Sequence, residues 1–338
     1  MVALTFSDVL IKPKHSRIRS RKDVSLNTSF GHFELALPVF SANMKSITGV
    51  KMAVEMYNNG AMGMLHRFCS IEEAVDDFKE VATLASDLQH PCGVSIGIHD
   101  NDKERFDKLY EAGAKIFCID VAHGDHASVQ DMLKWINQKK LSDVYIIAGN
   151  VATGDGAYNL ADWGANCVKI GIGPGHACMT RKFTGVGVPQ LYALEDVDTV
   201  FKQQGISNVQ KIADGGIEAV GDISKALKYV DGVMLGKFLS GTAETPGPVF
   251  QNQQGSFYKV YAGSASGENK FSNGQTTDFV EGVAMEVPFR GKVYYILKSI
   301  LEGVQSACSY VGANNLKEFK DLCEFIQISG GGKTESKI

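Results

Sequence analysis

One cysteine stands out for what surrounds it. Residues 169–190 read KIGIGPGHACMTRKFTGVGVPQ, with Cys178 followed two residues later by Thr180 and then by Arg181. A thiolate is the strongest nucleophile a side chain offers near neutral pH, and a neighbouring cation favours it. Gly171, Gly173 and Gly175 precede it. Glycines admit positive φ and close backbone approach, so the stretch reads as a loop wrapped around something small. A small buried cysteine in a glycine-rich turn fits the same spacing, and the residues alone leave both readings open.

Other segments carry chemistry of their own. Asp214-Gly215-Gly216 follows an apolar run, and Leu235-Gly236 closes another. Backbone N–H groups in such turns bind phosphate, and a carboxylate beside them accepts both hydroxyls of a ribose diol. A tight strand-to-helix turn is the plainer alternative. Residues 263–280 (GSASGENKFSNGQTTDFV) are polar and rich in Gly and Ser, as a lid or a linker would be. The basic stretch 12–22 holds Ser20-Arg21 and reads as a solvated arm or a ligand contact. His123-Gly124-Asp125-His126 holds metal-capable side chains, but four loop residues without further partners make a weak metal site.

The elements that must position these groups alternate. Short apolar runs predict strands at 38–44, 61–65, 93–98, 115–121, 144–148, 167–170, 209–213 and 232–236. Helical spacing predicts helices over 50–59, 71–88, 103–112, 129–138, 158–164, 189–203 and 220–229. Eight strands alternating with helices predict an α/β fold, a (β/α)₈ TIM barrel, in a single domain over residues 1–330 with no internal linker. An open doubly wound sheet is disfavoured, because no GxGxxG follows the first strand. The polar, glycine-rich residues instead fall at the carboxyl ends of several strands, where barrel sites are assembled. The tail 331–338 is expected to be disordered.

Composition bounds the partners. The 338 residues carry a net charge of −4, which gives no basic footprint for nucleic acid. No apolar run approaches the roughly 20 residues a bilayer span requires, and Lys12 and Lys14 interrupt any signal-peptide core. Seven cysteines without a CxxC predict neither a disulfide framework nor a zinc site, hence a reducing, cytoplasmic setting.

Taken in order, SANM at 41–44, IDVAHG at 119–124, AGNVATG at 148–154, GIGPGHACMTR at 171–181, TGVGVPQ at 184–190 and ADGGI at 213–217 resemble the IMP dehydrogenase/GMP reductase family over nearly the full length. The resemblance implies a homotetrameric barrel whose loop cysteine, here Cys178, attacks C2 of a purine nucleotide. No regulatory insertion follows the second strand, and residues 264–280 hold neither the Arg nor the Tyr with which the dehydrogenases activate water. The implied branch is therefore the reductive one: GMP to IMP with NADPH, releasing ammonia. A dehydrogenase without its regulatory module and a non-catalytic nucleotide binder are the alternatives.

By the same resemblance, Thr180 paired with Glu281 relays the proton. Asp214, Gly215, Gly216, Gly236, Lys237, Gly263, Ser264, Ala265 and Gly282 bind the nucleotide beneath a flap at about 263–282. Ser20, Arg21, Arg67, Asp120, Val121, Ala122, Ile172 and Gly173 bind the cofactor, with Arg21 and Arg67 suited to a 2′-phosphate. Gly173, Gly175, Cys178 and Arg181 match a potassium loop. The chain departs from the pattern at Lys45, Asp278, His176 and Lys237. His176 replaces a serine beside the phosphate, and Lys237 replaces a second small residue.

Overall fold

The computed structural model describes residues 2–86, 91–263 and 284–335. The chain enters through strand β1 (Val9–Ile11) and a hairpin of β2 (Thr28–Phe30) and β3 (Phe33–Leu35). Eight parallel strands then close a barrel in chain order: β4 (Val39–Ser41), β5 (Met62–Leu65), β6 (Gly93–Ile96), β7 (Ile116–Asp120), β8 (Tyr145–Val151), β9 (Cys167–Ile170), β10 (Gln210–Asp214) and β11 (Gly232–Leu235). Pairing of β11 with β4 completes the ring, Val233 opposite Val39. The predicted (β/α)₈ barrel is the observed fold.

Near-continuous apolar strands form because both faces are covered. Phe40, Met62, Met64, Cys118, Ile147, Cys167, Ile212 and Met234 fill the barrel. The opposite faces pack against the helices in a second, larger cluster. The β2–β3 hairpin plugs the amino-terminal end with aromatics: Phe30 lies 5.0 Å from Phe40 and Phe33 lies 5.4 Å from Tyr145, both edge-on. The carboxyl ends of the strands are left for chemistry.

Helices α1 (Val50–Asn58), α2 (Ile71–Ala85), α3 (Asp100–Glu111), α4 (Ala127–Gln138), α5 (Gly154–Asp162), α6 (Thr180–Thr184), α7 (Gln190–Gln203) and α8 (Val220–Ala226) follow the strands. Ser70 and Glu73 form a capping box at α2, as serine and glutamate three apart should. Helix α5 begins earlier than its apolar spacing predicts. Thr153 caps it through Gly156 N–H, and Gly154 packs too close to Val200 for a side chain, so its glycines belong to the helix.

After the barrel, β12 (Phe250–Gln251), β13 (Phe257–Ala262) and β14 (Ala284–Pro288) form an antiparallel sheet. The long helix Val293–Val311 packs against α8 and α1. Strand β15 (Phe325–Gln327) pairs with β1. Of the tail expected to be disordered, Gly330–Glu335 is helical and residues 336–338 lie outside the described residues. Lys333 is paired with Asp8, and Ile328 N–H donates to the Asp8 carbonyl, so the segment is tied to the start of the chain.

Candidate active site

Strand β9 ends at Ile170, and the loop it launches carries the cysteine. Gly171 holds φ at +149°, and a Cβ there would meet the Asp214 carbonyl at 2.0 Å. Only glycine lets this loop cross so close to the end of β10. Gly215, at φ +89°, presses in turn against Pro174 and Gly175. The cysteine loop and the Asp-Gly-Gly turn are thereby locked face to face.

Cys178 is half-buried and donates its S–H to Thr180 Oγ1 at 3.2 Å. The other six cysteines sit in different surroundings. Burial pushes the Cys118 and Cys308 thiols up to about 12 and Cys323 to about 11, and it raises Cys92, Cys167 and Cys69 as well. Burial of this kind disfavours the thiolate that nucleophilic chemistry requires.

The cysteine loop contributes Gly175 and His176 to a cavity of about 480 Å³, lined also by Asp214, Gly215, Gly216, Gly236, Lys237, Tyr261 and Arg290. That volume suits a small-molecule ligand. The turn after β10 and the 3₁₀ turn Lys237–Leu239 after β11 stand together at its wall, the two places where barrels bind phosphate.

Beneath the cavity is a charge cluster that the sequence did not flag. Lys169 on β9 is 1 % exposed, yet its ammonium reaches Asp214 Oδ2 at 2.6 Å, Asp120 Oδ1 at 3.1 Å and Asn150 Oδ1 at 2.5 Å. Burial alone would lower this lysine, but the Asp214 and Asp120 carboxylates outweigh it and push it up. Asp120 is held below the usual carboxylate value. Burial opposes this, and the charges of Lys169 and Arg67 overcome it. Asn150 Nδ2 also donates to Asp214 Oδ2 at 2.9 Å. Both bonds to Asp214 thus fall on one oxygen of a carboxylate that lines the cavity. A lysine inside an apolar strand reads as an error of pattern. Its signal was its place two residues before the loop, in register with Gly149 and Ile212 and close to the carboxylates ending β7 and β10.

Six of the eight cofactor candidates come together. Arg67 Nε donates to the Asp120 carbonyl at 3.2 Å, Asn150 N–H bonds to Val121, and Asn150 Nδ2 bonds to Gly171 at 2.7 Å. Arg67, Asp120, Val121, Ala122, Ile172 and Gly173 therefore share the rim above β5, β7 and β9. Ser20 and Arg21 do not join them. Ser20 caps the 3₁₀ turn Arg21–Asp23, and Arg21 pairs with Glu302 at 3.4 Å. Its surroundings include Ala36, Leu37 and Asn59, at the amino-terminal ends of β4 and β5. Within one protomer they stand at the wrong end of the barrel, because the arm is docked on the helix Val293–Val311.

Gly263 is buried at the end of β13, while Ser264, Ala265, Asp278, Glu281 and Gly282, with the flap itself, lie outside the described residues. Arg181 Nη2 donates to the Val188 carbonyl at 2.5 Å, tying the cysteine loop to its return. In the His123–His126 loop, His126 caps α4 and Asp125 accepts from Asn159.

Comparison with known proteins gives the family. Residues 3–338 match the family model described as IMP dehydrogenase / GMP reductase domain. GMP reductase from Lactobacillus delbrueckii subsp. bulgaricus is 36% identical over 95% of this chain and 93% of its own. GMP reductase 2 from Mus musculus is 35% identical over 97% of this chain and 95% of its own. A cysteine-to-alanine variant of Trypanosoma brucei GMP reductase, solved in complex with guanosine 5′-monophosphate, superposes with a TM-score of 0.94 at 28% identity, covering 100% of this chain and 98% of that one. The chain belongs to the IMP dehydrogenase / GMP reductase family.

Proposed function

We propose that this chain is a GMP reductase, converting GMP to IMP with NADPH and releasing ammonia. The observation that carries the reading is the half-buried Cys178 thiol, bonded to Thr180 on the loop whose Gly175 and His176 line a cavity bounded by Asp214, Gly215 and Gly216. In that cavity Asp214 takes the ribose diol through the oxygen that Lys169 and Asn150 leave over. Gly215, Gly216, Gly236 and Lys237 take the phosphate, with Gly263, Ser264, Ala265 and Gly282 closing over the nucleotide.

Cys178 thiolate adds to C2 of the purine. The 2-amino group departs as ammonia once protonated, and Thr180 with Glu281 delivers that proton. The resulting thioimidate is reduced at C2, and expulsion of Cys178 yields IMP. NADPH, when bound, supplies the hydride. Arg67, Asp120, Val121, Ala122, Ile172 and Gly173 form a rim that holds it, and the Arg67 guanidinium suits a 2′-phosphate.

Assembly belongs to the same proposal. Phe250, Phe257, Val260 and Phe289 stand exposed on or beside the β12–β14 sheet, as an interface of a homotetramer would. In such an assembly Ser20 and Arg21 reach the cofactor of a neighbouring copy. Potassium fits the cysteine loop. The carbonyls of Gly175 and Arg181 accept amide bonds at 3.0 and 3.1 Å, and each keeps a second lone pair for a hard cation alongside Gly173 and Cys178. A cytoplasmic, reducing setting suits seven free cysteines.

The test is NADPH absorbance after mixing with GMP. Signal loss with ammonia release, abolished in Cys178→Ala, is the expected result. NADH appearing from IMP and NAD instead would assign the dehydrogenase reaction. GMP binding with no turnover in either direction would leave a binder.

A further inference from the structure

Two carboxylates that the proposed function gives to different ligands are joined by one buried cation. Asp214 ends β10 and lines the cavity, while Asp120 ends β7 on the rim that carries Arg67. Strands β8 and β9 lie between them, so no ladder hydrogen bond connects β7 with β10. Lys169 does. Its Nζ reaches Asp214 Oδ2 at 2.6 Å, Asp120 Oδ1 at 3.1 Å and Asn150 Oδ1 at 2.5 Å. An ammonium has three donors and no acceptor, so none is left over for solvent or a ligand. The stem is enclosed as well. Gly149 on β8 stands in register with Lys169, and a Cβ there would lie 2.7 Å from the Lys169 Cβ.

Both carboxylates have further partners. Asn150 Nδ2 donates to Asp214 Oδ2 at 2.9 Å, and the Asn43 side chain bonds to Asp120 as well as to Ser95 Oγ at 3.0 Å. Val168 and Ile170 flank Lys169 in a strand buried throughout. A buried ion cluster is a poor source of stability beside apolar side chains of similar volume. What it supplies is a fixed relation between its members.

We propose that Lys169 is a positioning residue that couples the two subsites, so that nucleotide and cofactor each bind more tightly when the other is present. This inference rests on the reading of Asp214 as the ribose carboxylate and of the Asp120 rim as the cofactor site. Ribose hydroxyls donating to Asp214 Oδ1 satisfy part of its charge and weaken its hold on the ammonium. Lys169 then bonds more strongly to Asp120, whose carboxylate is left better compensated. A phosphate-bearing cofactor approaches a compensated carboxylate at lower electrostatic cost than a bare one. Linkage makes the effect reciprocal, so a cofactor on the rim tightens the nucleotide by the same factor. With all its donors committed, Lys169 acts through the two carboxylates and not on either ligand.

Calorimetric titration of GMP with and without saturating NADP⁺ reads this coupling, in protein carrying Cys178→Ala so that no adduct forms at C2. The oxidised cofactor has no hydride to give, and only binding is measured. GMP should bind ~5- to 150-fold more tightly with NADP⁺ present, the usual range for coupled sites, and NADP⁺ should gain the same factor from GMP. Lys169→Met keeps an unbranched stem and removes the ammonium. It should abolish the enhancement, while each ligand alone loses no more than ~10-fold. Because that change leaves two carboxylates without their cation, Lys169→Met with Asp120→Asn, which removes one charge of each sign, is the second variant, and it should lack the enhancement too. A purely structural role for Lys169 would lower both affinities alike and leave their coupling intact. That outcome, or two ligands that bind independently in the protein with Lys169 in place, would overturn the inference while leaving both sites standing. Failure of GMP or NADP⁺ to bind that protein at all would overturn the reading of the sites as well.

Discussion

At the scale of single residues, the site separates the group that reacts from the groups that hold it. Cys178 is the proposed nucleophile, and its thiol donates to Thr180 Oγ1. An amine leaves a purine poorly without a proton, and a positioned relay contributes ~10²–10⁴-fold. Thr180→Val keeps the side-chain volume and removes the hydroxyl. Turnover in that variant should fall by ~10²–10⁴-fold while calorimetric GMP binding persists. Unchanged turnover would remove Thr180 from the relay. Lys169 acts differently, since its ammonium joins the carboxylate of Asp214 to that of Asp120 from inside the barrel wall.

At the scale of elements, the barrel's carboxyl ends impose close approaches that set which residues are tolerated. Gly171 and Gly215 lock two loops whose backbones nearly touch. At the end of β5, His66 is enclosed next to Arg67 and accepts from Phe68 N–H at 3.2 Å. Burial, reinforced by the charges of Lys45 and Arg105, lowers His66 from 6.5 to about 4. The folded chain therefore binds this proton less tightly than the unfolded chain does. The stability it contributes is complete above pH 6.5 and is lost as pH falls from 6.5 toward 4. The loss reaches roughly 3 kcal/mol at most. Urea midpoints at pH 7.5 and pH 5 should differ more for the unmodified protein than for His66→Gln. Equal differences would show that another group governs acid sensitivity.

At the scale of the whole molecule, the surface of the chain carries large apolar side chains. The β12–β14 sheet shows water Phe250, Phe257 and Val260, and Tyr310 is 70 % exposed on the helix Val293–Val311. The basic arm is docked on that same helix, away from the Arg67 rim. Sedimentation should give a species four times the mass of the chain, and Phe257→Asp with Val260→Asp should shift it to smaller species. A monomer at micromolar concentration, with full activity, would contradict the proposed assembly.

Much of this was legible in the sequence, and the reason lies in how parallel barrels are built. Strands covered on both faces must be continuously apolar, so each of the eight announced itself. Loops at their carboxyl ends must bend and bind, so Gly171–Cys178 and Asp214–Gly216 did too. Boundaries slipped where a residue type misleads, as at Gly154 and Gly156, which are helical because Thr153 caps them and Val200 crowds them. The tail Gly330–Glu335 has no apolar pattern to read, and its order comes from a charge pair with Asp8, more than 300 residues away in sequence. Three arrangements were decided by tertiary structure alone: Lys169 under two carboxylates, Arg21 beside Glu302, and His176 against Lys237. Each joins residues from different strands or helices. Local sequence determines which elements form and which face they bury, whereas the meeting of charges across a barrel depends on its closure and register.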